Sequence, residues 1–157
     1  MFQTVCAFRK RLLVGEVDDE NAYAMGGVAG HAGLFAPVRE VDRIVHELIR
    51  SYAGRSDFVP QRIIREFWTR DKTVKGSTWA LGWDTPSAEY SSSGHYFSPA
   101  AVGHLGFTGT SIWIEPDKEI AVSLLTNRVH PVRDNQGIRE FRPKIHDLVM
   151  AALGEAR

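Results

Sequence analysis

Two apolar runs of strand length, Ile112-Trp113-Ile114 and Ile120-Ala121-Val122-Ser123-Leu124-Leu125, flank the proline-bearing turn Pro116-Asp117-Lys118. A strand with one wet face alternates polar and apolar residues, so near-continuous runs on either side of a turn specify a β-hairpin covered on both faces. Such a hairpin needs helices to cover it, and the chain supplies them. Val38, Val41, Ile44, Val45, Leu48 and Ile49 recur at three- and four-residue spacing after Pro37, a residue suited to a first helical turn, and predict a helix over 37–52. Pro60 opens a second, shorter stripe through Ile63, Ile64 and Phe67. The stripe Ile145, Leu148, Val149 and Ala152 marks a last helix, predicted to open near Phe141 with Pro143 in its first turn and to close at Leu153, where Gly154 supplies the stop. The fold class these elements imply is α+β. It comprises a small antiparallel sheet of three or four strands, flanked by the 37–52 helix and the final helix, in a single domain over residues 1–157.

The intervening segments are less regular. Residues 2–14 read as a short strand or an extended arm, and the glycine-dense stretch Gly15 to Gly33 as an ordered loop. Arg70 to Ser77 is polar and reads as loop, whereas Trp79 to Trp83 could start a strand. Tyr90-Ser91-Ser92-Ser93-Gly94 is a surface loop by composition, expected near the mouth of any site. The four tryptophans, Trp68, Trp79, Trp83 and Trp113, are chiefly core candidates.

Bulk properties exclude several function classes. Nineteen lysines and arginines balance nineteen aspartates and glutamates, so no basic field exists to draw in nucleic acid. The lone Cys6 has no cysteine partner for a disulfide and reads as a small apolar filler. No apolar run approaches the roughly 20 residues of a membrane helix, and the amino-terminal residues lack the ordered regions of a signal peptide. The compartment stays open on these grounds.

His31 with Asp18 and Asp19 supplies metal-binding residue types, but no His-Glu-x-x-His or comparable spacing supports a metal, and none is expected. His46-Glu47 starts like a zincin motif and fails at Arg50, so it reads as a solvated helix face. Gly26-Gly27-x-x-Gly30 lacks the Gly-Lys-Ser/Thr ending of a phosphate loop. His130 and His146 default to surface or capping roles. No cofactor is indicated.

The residues that do carry a chemical signature run from His104 to Pro131: His104-Leu105-Gly106 on a strand, Glu115-Pro116-Asp117-Lys118 in a turn, then Leu125-Thr126-Asn127-Arg128. This order, followed by a terminal helix, resembles the carboxy-terminal portion of the serine β-lactamase and penicillin-binding-protein family, with its esterases and D-alanyl carboxypeptidases. The likeness extends over Arg9 to Leu153 and includes Gly26 to Phe35, which resembles the segment lining that family's site entrance. In the family a Lys-Thr-Gly or His-x-Gly triplet borders the catalytic serine. The resemblance therefore implies that His104 assists proton transfer or holds a substrate carboxylate, and that Gly106 leaves room for the acyl group. It also implies that the Phe107 N–H joins the oxyanion hole, a donor worth about 2.7–4 kcal/mol in acyl transfer. Leu105 stands where the family usually has Thr or Ser; with Thr108, Trp83 and Tyr96 it would shape the substrate side.

No serine has a lysine three places on and no tyrosine an asparagine two places on, so the family's nucleophile with its base, and its proton-relaying tyrosine, are missing from these residues. Two functions follow as expectations. One is a portion of a hydrolase for β-lactams, D-alanyl peptides or esters, inactive alone and serving a small-molecule or peptidoglycan-like substrate once completed. The other is a non-catalytic module binding a muropeptide-like ligand or another protein. The family is often extracytoplasmic. In the resembled fold the 119–126 strand pairs with amino-terminal strands not present here, so residues 2–14 are expected to fold back on it, or two chains to associate through it.

Overall fold

The strand Ser111–Glu115 (β4) organises the molecule, because its two faces are buried against different helices. The computed structural model describes residues 3–156. β4 lies between Val102–Leu105 (β3) and Ile120–Leu124 (β5) in a three-stranded antiparallel sheet of order β3-β4-β5. Register pairs His104 with Ile112 and Trp113 with Val122. The predicted hairpin is present, its turn a short 3₁₀ segment Pro116–Lys118 followed by Glu119 in the left-handed region. Arg55 anchors this turn through an ion pair to Glu119 at 2.5 Å.

On one face, Ile114 and Val102 meet Val45 and Ile49 of the helix Val38–Tyr52 (α2, following Glu20–Ala24, α1) and Ile64 of Gln61–Phe67 (α3), with Trp68 completing the cluster. On the other, Trp113 packs with Phe97, Ala101 and Met150, the last from the helix Ile138–Ala152 (α4). Alternation along the strands produces this division: Trp113 points opposite to Ile112 and Ile114. Gly103 is small for a definite reason, since a Cβ there would collide with the Trp113 ring and lie 2.6 Å from the Ile112 carbonyl oxygen. Glu115, almost fully buried, accepts the Ser98 N–H at 2.7 Å and its hydroxyl at 2.8 Å, which fixes the approach of the chain into β3.

The α+β expectation holds, with three strands in the main sheet. α2 starts within a residue of its predicted boundary, but Pro37 is its N-cap rather than part of its first turn, and Pro60 caps α3 in the same way. Residues 3–14 differ from expectation. They form Gln3–Cys6 (β1) and Arg11–Val14 (β2), which pair with each other in a separate two-stranded sheet and not with β5. A tight turn lets these strands satisfy their hydrogen bonds locally. Thr4 Oγ1 still donates to Val129 O at 2.8 Å, tying the hairpin to the chain just beyond β5. Residue 2 lies outside the described residues. The Gly15–Gly33 stretch contains α1, whose start is set by the Asp19 carboxylate accepting the Ala22 N–H at 2.7 Å. No strand runs from Trp79 to Trp83; isolated bridges join Trp79 to Asp84 and Asp84 to Gly103. α4 begins at Ile138, a turn before the predicted start, with Pro143 inside it. Burial of Ile138 and Arg142 holds that first turn despite the hydrogen bond the proline forgoes.

His146 also departs from the surface role expected of it. It is fully buried on α4, its Nδ1 2.8 Å from Ser92 O, and the Phe97 ring stands edge-on to it. Burial lowers its pKa; the Ser92 carbonyl opposes that shift, the Arg142 charge adds to it, and Asp147 opposes it. With the folded-state value depressed, the unfolded chain takes up this proton first as pH falls. The associated stability is complete above about pH 6.5 and is lost as pH drops toward the folded-state value. Urea unfolding measured across about pH 7 to 5 should show stability falling with acidification, and His146→Asn, which cannot titrate, should flatten that slope.

Candidate active site

His104 is exposed on β3, on the α2 side of the sheet, where it shares a cleft of about 660 Å³ with Gly106, Phe107, Thr108, His31 and Phe35. Trp79 leans on the imidazole, ring centroids 5.7 Å apart and tilted by 54°. The tryptophan is half exposed, so it is a flank of His104 rather than a core residue. β3 is an edge strand, and Asp84 pairs with its outer side at Gly103 through hydrogen bonds of 2.7 and 2.9 Å. By the alternation of an antiparallel ladder, the backbone groups of Leu105 face that same outer side.

The opposite wall comes from residues 17–36. Its geometry depends on Asp18, Asp19 and two guanidinium groups. Arg133, in the segment after β5, donates Nη2 to both the backbone oxygen and the carboxylate of Asp18 at 2.9 Å and forms a 2.5 Å ion pair with Glu20. Arg9 donates to the carbonyls of Val17 at 2.8 Å and Asp18 at 2.9 Å and lies over the Tyr23 ring. Asp18 is thereby gripped from two directions. The Asp19 carboxylate accepts the Ala22 N–H and sits 2.9 Å from His31 Nε2; these two contacts, in that order, hold its pKa below the usual carboxylate range. The Arg133 hydrogen bond lowers the pKa of Glu20 likewise. Among the described residues no group of three or more His, Cys, Asp or Glu side chains is gathered as a metal site would require.

The structure brings together His104, Gly106, Phe107 and Thr108 from the predicted set, and separates the rest. Leu105 lines the cleft, but it packs on the far sheet face against the Trp113 and Phe97 cluster, because its side chain alternates with that of His104. Trp83 stands edge-on to Trp68 in the α2 cluster, 5.7 Å between centroids, and Tyr96 packs on the Trp113 side; neither lines the cleft. The Tyr90–Gly94 loop is held against α4 through Ser92 and lines a different cavity. Gly106 also has a reason beyond the predicted one: the space a Cβ would take is already filled by Thr110 Oγ1. Cys6 is the buried filler expected of it, although its thiol accepts from Arg9 N and Nε at 3.3 and 3.4 Å. Sequence reading missed Arg9, Arg133, Trp79 and Thr110. Only Arg9 and Arg133 had any trace in the sequence, as basic residues in otherwise mixed segments.

Comparison with known proteins decides the family: the beta-lactamase family model matches residues 6–146. The chain belongs to the beta-lactamase family. A protein of Escherichia coli K12 named "Putative D-alanyl-D-alanine carboxypeptidase" is 33% identical over 133 residues, covering 82% of this chain and 30% of its own length. A protein of the same name from Salmonella gallinarum is 33% identical over 126 residues, covering 78% and 29%. The chain thus spans under a third of the curated relatives it matches. A crystal structure of a beta-lactamase from Mycobacterium bovis superposes with a TM-score of 0.63 at 20% identity, covering 77% of this chain and 46% of that one; it supports the fold.

The Gly106 contact gives a test of local packing in this family member. Gly106→Ala should cost about 1–3 kcal/mol, the usual range for overpacking, and Thr110→Ala in the same chain should recover most of it by removing the obstructing hydroxyl. A double-mutant cycle by chemical denaturation measures the coupling, and additive effects would contradict the assigned contact.

Proposed function

We propose that this chain forms the receiving wall of an acyl-transfer serine hydrolase site, for a D-alanyl peptide, a β-lactam or an ester, and takes its nucleophile from residues outside itself. One observation carries the reading. The Phe107 N–H has no hydrogen-bond partner among the described residues, and it lies on the cleft that His104 borders. An unpaired amide beside an imidazole is the pairing that a tetrahedral oxyanion and its leaving group require. The name of these relatives, D-alanyl-D-alanine carboxypeptidase, supports a D-alanyl-D-alanine peptide as substrate class within this reading. Absence of Ser-x-x-Lys and Tyr-x-Asn from the sequence supports the need for outside residues.

Exposed apolar side chains beside the cleft favour the same view. Leu34 is 80% exposed and Phe35 51%, on the wall opposite His104. Further polypeptide bearing the serine would cover them. β5, with no strand on its outer side among the described residues, offers that polypeptide a sheet edge, and two copies of this chain could meet there in its absence. A specific association of that kind would bury more than about 1,000 Å².

Intact mass spectrometry after exposure to benzylpenicillin and to a fluorophosphonate should find the isolated chain unmodified; a covalent adduct on any serine would overturn the dependence on an outside nucleophile. Light scattering on the same sample should report a dimer, and a clean monomer across concentration would remove β5 as a self-association edge.

A further inference from the structure

The turn between β3 and β4, residues 106–110, has all five of its carbonyl oxygens engaged. Gly106 O accepts from Gly109 N at 3.1 Å and Arg142 Nη2 at 2.8 Å, and Phe107 O from Arg128 Nε at 2.7 Å. Thr108 O accepts from Arg128 N at 2.9 Å and Gly109 O from Thr126 Oγ1 at 2.6 Å. Thr110 O accepts from Gly106 N at 2.8 Å and again from Arg142 Nη2, at 2.6 Å. The amides are treated differently. Those of Gly106 and Gly109 bond within the turn, while those of Phe107 and Thr108 carry no partner among the described residues.

Among the described residues neither arginine has a carboxylate partner. Among the described residues the Arg128 side chain bonds only to the carbonyls of Phe107, Arg133 and Asn135 and lies over the Phe107 ring at 4.3 Å, and the Arg142 side chain bonds only to those of Gly106 and Thr110. Arg142 is 7% exposed. Burial and then the nearby Arg128 charge lower its pKa, though a guanidinium keeps its proton in a protein. Burying a cation without a counter-ion costs several kcal/mol. An apolar side chain of like volume would fill the same space without that cost, so the packing of α4 alone does not account for an arginine here.

Peptide geometry supplies the account. In a planar trans peptide the carbonyl of one residue and the N–H of the next point in opposite directions. Arg142 on Gly106 O therefore fixes the direction of the Phe107 N–H, and Arg128 on Phe107 O fixes that of the Thr108 N–H. We propose that Arg128 and Arg142 are positioning residues, which grip these two peptide units from behind and keep the Phe107 and Thr108 amides unpaired and presented to an anionic oxygen in the cleft. The identity of that oxygen as an acyl-transfer oxyanion rests on the function proposed above; the positioning itself does not. Two uncompensated positive charges behind the turn also favour an anion at the amides, an effect the low dielectric of the buried Arg142 strengthens.

The test uses the full chain, ¹⁵N-labelled, with Arg142→Lys and Arg128→Lys, which keep the charge but lack the planar fork that spans these carbonyls. In the unsubstituted chain the Phe107 and Thr108 amides should be as ordered as those of β4 yet exchange rapidly with solvent. Arg142→Lys should shift and disorder Phe107 in particular, and Arg128→Lys Thr108, with the rest of the spectrum retained. Methylphosphonate should shift both amides in the unsubstituted chain and bind at least about tenfold more weakly to each variant, as expected for losing one charged hydrogen bond. Unchanged order and exchange at both amides in folded variants would overturn the proposal. Arginine-dependent order without any phosphonate response would leave the positioning standing and count against the acyl-transfer reading. If Arg142→Lys fails to fold, the more exposed Arg128→Lys decides the matter at Thr108.

Discussion

Burial of β4 on both faces is the constraint from which the remaining structure follows. Ile114 looks toward α2 and α3, and Trp113 toward α4, so neither helical layer can leave without opening one side of the sheet. Each large apolar side chain removed from water contributes about 1.5–3 kcal/mol, and β4 places several of them in adjacent register positions. β3 and β5 are held in register with it, and the Gly103 contact with Trp113 sets how closely β3 can approach. His104 inherits its position from this arrangement. One residue either way would turn the imidazole into the α4 core.

The cleft is assembled from segments distant in sequence by guanidinium groups that grip backbone carbonyls, with carboxylate pairs added on the 17–36 side. Arg133 and Arg9 converge on the Val17–Asp18 backbone, and Arg128 and Arg142 on the 106–110 turn. Guanidinium groups suit this work because each offers several N–H donors in a fixed plane and remains charged. The two walls are thus defined by main-chain geometry held from outside; on the proposed reading this leaves the Phe107 and Thr108 amides and His104 available to a ligand.

The chain belongs to the beta-lactamase family and spans under a third of the curated relatives it matches. The sheet has a bare outer edge at β5 among the described residues, and apolar groups at the cleft rim remain exposed. A segment adding a strand at that edge would reach the same sheet that carries His104.

The hairpin around Pro116 and the α2 helix were legible in the amino-acid order, because hydrophobic period and turn chemistry are local properties that survive into the fold, and the family was legible from the order of motifs between His104 and Arg128. Trp83 and Tyr96 were also assigned to the substrate side, and packing took them into the two cores, while Leu105 lines the cleft with its side chain packed on the far sheet face, since strand alternation and core filling depend on neighbours remote in sequence. His146 went the same way: nothing adjacent to it foretells that Ser92 and Phe97 will close over it. The sequence by itself determined the central hairpin, the α2 helix and the absence of a Ser-x-x-Lys or Tyr-x-Asn motif from these residues. Tertiary structure alone decided which side chains meet across the cleft, because carbonyl-gripping arginines such as Arg128 and Arg142 leave no periodic or spacing pattern and gain their meaning only from the direction of the peptide planes they hold.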